Sequence, residues 1–91
     1  MLSRRITAAE ALRVQQDAIA NGDLLIWTVC DHPTDAPEWV TARPYSVRNC
    51  GALDCVLAAA TRDEVRTMLP IGLSRLERDP ADDPVIVEVW L

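Results

Sequence analysis

Apolar and polar positions alternate most clearly at the end of the chain. There Pro84-Val85-Ile86-Val87-Glu88-Val89-Trp90-Leu91 puts Val85, Val87, Val89 and Leu91 on one side of an extended strand, and Ile86, Glu88 and Trp90 on the other. One side is wholly apolar, which predicts a core-facing strand with a half-covered back. Leu24 to Cys30 is apolar on both sides and reads as a central strand. Glu38 to Val47 follows as a second strand in which Pro44 argues for an edge, a bulge or an early end. Ala52 to Ala60 is a third, weaker strand, its alanines ambiguous between strand and helix until Thr61 supplies a helix start.

Two helices are marked by their ends. Thr7-Ala8-Ala9-Glu10 and Thr61-Arg62-Asp63-Glu64 both have the capping-box form, in which a threonine hydroxyl and a glutamate three residues later satisfy backbone N–H groups reciprocally. The first helix is expected to run to Asn21-Gly22, with Ala8, Ala11, Leu12, Ala18 and Ile19 as a small-residue apolar stripe. Its shallow stripe predicts that it is the less firmly attached of the two. Val65, Met68 and Leu69 form the buried face of the second, which Pro70 and Gly72 end after about two turns. Residues 75–84 are charged, bracketed by proline and read as a loop.

The order helix, strand, strand, strand, helix, strand predicts a single α+β domain over 1–91, with a small antiparallel or mixed sheet of about four strands. The first three strands form an antiparallel meander, and a helical crossover sets the last strand parallel to the third.

Composition narrows the function more than the fold. Ninety-one residues with 49% hydrophobic and 25% charged positions describe one folded domain. No apolar run approaches the ~20 residues of a membrane span, and the start lacks a signal-like segment, so a cytoplasmic location is expected. All nine basic residues are arginine, with no lysine and no phenylalanine, a bias typical of GC-rich coding. The net charge of −5 argues against direct nucleic-acid binding and favours a partner with a basic surface.

Candidate chemistry is sparse. Cys30, Cys50 and Cys55 form no CxxC pair and read as reduced apolar residues, the sharper alternative being a zinc site with His32. His32 stands in Asp31-His32-Pro33-Thr34-Asp35, either as a general base oriented by a flanking carboxylate or as part of a solvated turn. No nucleophile motif or glycine-rich phosphate loop accompanies it, and no cofactor is expected. Asp31, Asp35 and Glu38 form one acidic cluster and Glu77, Asp79, Asp82 and Asp83 another, as solvated loops or as docking surfaces for a basic partner. Trp27, Trp39 and Trp90 imply an aromatic sheet face, covered by the first helix or used as an interface; Arg43 lies on the Trp39 side of its strand.

The segments Trp27-x-Val29-x-Asp31-His32-Pro33-x-Asp35-x-Pro37, Ala42-Arg43 and Asp82 to Leu91 resemble small proteins of prophages and mobile elements of GC-rich proteobacteria. The resemblance spans Trp27 to Leu91 and leaves out the first helix. It carries no catalytic residues. It implies an inhibitor of host defence, anti-CRISPR proteins among them, which binds and blocks a CRISPR effector subunit. The resulting expectation is a non-enzymatic protein that covers a basic surface through Asp31, Asp35, Glu38, Glu77, Asp79, Asp82 and Asp83, with Trp39 and Arg43 as anchors. A homodimer joined through the aromatic face is the alternative, and a metal or hydrolytic protein using His32 a third.

Overall fold

The computed structural model describes residues 4–77, 80–81 and 84–91. Thr7 caps helix α1 (Ala8–Ala20): its hydroxyl accepts from the Glu10 N–H at 3.1 Å, and its own N–H donates to the Glu10 carboxylate at 3.0 Å. That backbone bond, helped by the Thr7 hydroxyl and the charge of Arg4, holds the Glu10 carboxyl below its ordinary range. Asn21 closes the helix and Gly22 turns the chain away at φ +71°, a conformation that costs glycine nothing. Helix α2 (Arg62–Met68) starts on Thr61, whose hydroxyl accepts from the Glu64 N–H at 3.2 Å. It ends at Leu69, whose extended backbone is the one that a following proline imposes.

Both helices pack on one face of a mixed, seven-stranded sheet. Its strands are β1 (Arg4–Arg5), β2 (Leu25–Asp31), β3 (Val40–Ser46), β4 (Gly51–Ala52), β5 (Cys55–Ala59), β6 (Arg75–Leu76) and β7 (Ile86–Trp90). The order is β1-β5-β3-β2-β7-β6, with β4 beside β3. The core takes alternate positions: Leu25, Trp27 and Val29 of β2, Val40 and Ala42 of β3, and Leu57 and Ala59 of β5, closed by Ala11, Val65 and Leu69 from the helical side. No helix among the described residues is long and apolar enough to cross a membrane.

The meander β2-β3-β5 and the central place of β2 follow the expectation from sequence. Three features depart from it. First, the described residues form seven strands and not about four, because β1, β4 and β6 are two-residue pairings on longer strands. Second, β7 is not parallel to the third long strand but antiparallel to β2, on the opposite side of the meander. The crossover through α2 does deliver a strand running in the direction of β5, but that strand is β6, and the chain then reverses into β7. Third, β3 is interior although it contains Pro44, which is fully buried opposite Trp27. The carbonyl of Pro44 faces away from β2 and accepts from Leu53 N–H at 2.9 Å. In a strand the nitrogen points the same way, so the missing donor falls between the β5 and β4 pairings and costs no ladder bond.

Two helix and strand faces are also turned from those expected. On α1, Ala11 and Gln15 are buried while Ile19 is 63% exposed. The helix is rotated so that the Gln15 carbonyl can accept the indole N–H of Trp27 at 2.8 Å, a donor that would otherwise be buried without a partner. On β7, Trp90 and Glu88 stand opposite Trp27 and Val29 and therefore share the core side. A bulge at Val87 breaks the alternation, and Val87 also packs on the core. The mixed side of the last strand is thus the covered one. It tolerates Glu88, 4% exposed, because Arg66 Nε donates to it at 3.0 Å and Trp90 Nε1 at 2.9 Å, with a second Arg66 bond to its other oxygen.

Candidate functional site

The face away from the helices carries the complementary positions: Ile26, Thr28 and Cys30 of β2, Thr41, Arg43 and Tyr45 of β3, Val56 and Ala58 of β5, and Val89 of β7. No helix covers it among the described residues. Tyr45 is exposed, as is Leu76, which pairs with Val89 at the sheet margin.

At one end of this face lies a cleft of about 320 Å³, lined by Arg5, residues 35–39, Thr41, Arg43, Val56 and Ala58. The loop between β2 and β3 builds its wall. His32 opens that loop at φ +50°, with its Nδ1 2.9 Å from the Pro37 carbonyl and Nε2 3.3 Å from Asp31. A carbonyl only accepts, so Nδ1 carries the proton in that bond. Further backbone bonds, Ala36 N–H to Pro33 O at 3.0 Å and Trp39 N–H to Ala36 O at 3.1 Å, fold the loop back and deliver Trp39 to the cleft. The Arg5 guanidinium lies 4.7 Å from the Trp39 ring centroid and donates to the Ala58 carbonyl at 3.0 Å. Arg43 is paired with Asp35 across the mouth. Thr41 is 1% exposed, and its hydroxyl has no hydrogen-bond partner among the described residues.

The structure therefore gathers Asp35, Glu38, Trp39 and Arg43 from the expected site in one place. It separates the others. Asp31 bonds to Arg62 at 3.4 Å, at the start of α2, and to His32. Glu77 lies in another groove with Arg62, Arg66 and Arg75, beside Glu88. Bonds from Arg66, chiefly, and from Trp90 outweigh burial and hold the Glu88 carboxyl below its ordinary range, while Glu88 raises the Arg66 guanidinium. Asp79, Asp82 and Asp83 lie outside the described residues. The described carboxylates are thus not one uninterrupted negative surface, since Asp31 and Asp35 each have an arginine partner and Glu77 lies among arginines in another groove.

Arg5, Thr41, Val56 and Ala58 were not among the expected site residues. Thr41 shares strand parity with Trp39 and Arg43, a usable signal; Arg5 and the β5 residues arrive through strand pairing and left none. The cysteines do not converge, because Cys55 is in the core, Cys30 faces the opposite side of the sheet and Cys50 is exposed in a turn. Burial raises the Cys55 thiol pKa. Among the described residues no three His, Cys, Asp or Glu side chains are placed to share a metal ion. The aromatic residues divide as well: Trp27 and Trp90 lie on the covered side, Trp39 at the open face. No protein-family model, curated protein or solved structure is detectably similar to the chain.

Proposed function

We propose that the chain is a non-enzymatic binding protein that docks on another protein through its open sheet face, with the Trp39 cleft as the anchor. The observation that supports this reading is the one-sidedness of the fold. Both helices are spent on one face, and the other presents Ile26, Thr28, Cys30, Tyr45 and Val89 beside a tryptophan–arginine stack. A sheet face of half-buried residues with Tyr45 and Trp39 exposed on it suits an interaction site, and Trp and Arg are the side chains that most often carry the energy of such sites. The net charge of −5 still steers the molecule toward a basic partner. With Asp31 and Asp35 paired internally, the contact energy belongs to Trp39 and Arg5 more than to the acidic loops. Blocking a defence effector, as the resemblance implies, is one form of this activity.

Affinity capture with the purified chain as bait tests the reading, with each recovered protein identified. A stoichiometric partner is expected, recovered about tenfold less by Ile26→Glu and by Trp39→Ala, and undiminished by Ile19→Glu on the helical side. Equal recovery by all four baits would refute docking on this face. The same uncovered sheet also suits a second copy of the chain. A dimer in light scattering that Ile26→Glu converts to monomer assigns the face to self-association.

A further inference from the structure

The Trp39 cleft also has the chemistry of a small-molecule site, and we infer that it binds a free α-amino acid with an apolar side chain. Its inner surface, Val56 and Ala58, is aliphatic, and its volume of about 320 Å³ is at the lower end of ligand pockets. Two opposite charges stand at it uncommitted. Arg5 meets only a ring and a carbonyl, with no carboxylate partner among the described residues, whereas Arg43 is neutralised by Asp35. Glu38 has no partner among the described residues. A ligand with only a carboxylate satisfies Arg5 and is opposed by Glu38; one with only an ammonium meets the reverse. A zwitterion satisfies both, and its apolar side chain takes the aliphatic floor.

The second observation is Thr41. Thr41 lines this cleft, and its buried hydroxyl has no hydrogen-bond partner among the described residues, an arrangement that folding alone does not favour and that a ligand's polar head would correct. Protein docking on the sheet is not required for this inference. The purified chain alone suffices to test it, so either reading can fail without the other.

Three probes separate the contributions: leucine, which has both charges; leucinamide, which keeps the ammonium; and N-acetylleucine, which keeps the carboxylate. Binding is read by calorimetry and by the three indole N–H signals in a nitrogen–proton NMR spectrum, where Trp27 and Trp90 are held by Gln15 and Glu88 and serve as internal references. Leucine is expected to bind about tenfold more tightly than either analogue and to move the Trp39 signal, assigned with Trp39→Phe. Arg5→Gln should erase its advantage over leucinamide, and Glu38→Gln its advantage over N-acetylleucine. Thr41→Val should weaken leucine without lowering the denaturation midpoint, which separates a lost contact from a lost fold. Equal affinity for the three probes, binding that leaves Trp39 unmoved, or no binding at low-millimolar concentration would each overturn the inference.

Discussion

The two faces of the sheet treat polar groups differently. On the covered face buried polar side chains are matched: Gln15 takes the Trp27 indole N–H, Glu88 receives Arg66 and Trp90, and Ser46 donates to Asp23 at 2.6 Å. On the open face Thr41 has no partner, and Glu38 and Arg5 have no opposite charge among the described residues. Satisfied buried networks fix one arrangement of a core, while unsatisfied groups cost stability and leave capacity for an incoming molecule. The matched polar groups lie on the covered side and the unmatched ones on the open side.

The largest expected contrast tests that division directly. Trp27 is 0% exposed and touches the core from the centre of the sheet, so Trp27→Ala should cost about 3–5 kcal/mol. Small domains have only about 5–15 kcal/mol in total, so this variant should be at the edge of unfolding. Tyr45→Ala on the open face should change stability by about 0.5 kcal/mol or less. Urea titration of both variants decides the matter, and comparable losses would mean that the open face is part of the core.

Glu88→Gln comes next, at about 2 kcal/mol, because the half-exposed Arg66 keeps some solvation when its buried partner loses its charge. The same carboxylate makes stability depend on pH. Its pKa is lowered in the fold, chiefly by the Arg66 hydrogen bonds, relative to about 4.3 for an unfolded glutamate. Its contribution is fully present above the unfolded value and is lost as pH falls through the folded one. Asp23, lowered chiefly by the Ser46 hydroxyl and also by the Arg48 N–H, and Glu10 act in the same direction. Stability should therefore fall on acidification below about pH 4–5, and Glu88→Gln should flatten that fall without abolishing it. An acid limb identical to wild type would show that Glu88 is not linked to folding.

What could be read from sequence is what depends on near neighbours along the chain. Both capping boxes link a threonine to a glutamate three residues on, so their partners are local, and both helices start where they were expected. The meander also follows from consecutive strands joined by turns. Alternation along the last strand defined two faces but not which one is inside, because Glu88 is buried by Arg66, which stands 22 residues earlier. The two-residue strands β1 and β6 have no periodicity to read and exist through their pairing with β5 and β7. The site divides in the same way. Asp35, Glu38, Trp39 and Arg43 are close in sequence and were found together, while Arg5 crosses to them only because β1 pairs with β5.

A further expected effect has the opposite sign. Thr41→Val removes a buried hydroxyl that has no partner among the described residues and replaces it with a methyl of nearly the same shape. Exchanges of this kind usually lose the hydrogen bond of the native side chain, but here there is none to lose, and the desolvation cost of an unmatched polar group is relieved. Valine also suits the middle of a strand as well as threonine does. The variant should therefore be more stable than the wild type by about 1 kcal/mol, measured as a higher urea midpoint with an unchanged slope. Ser46→Ala, a hydroxyl deleted from the covered side of the same strand, should lose about that amount, because it leaves Asp23 without its 2.6 Å donor. Two hydroxyl deletions on one strand with opposite signs would locate the division between the faces within β3 itself. Losses of the same sign and size would show that Thr41 contributes to the fold as Ser46 does, and the contrast between the two faces would not extend to that strand.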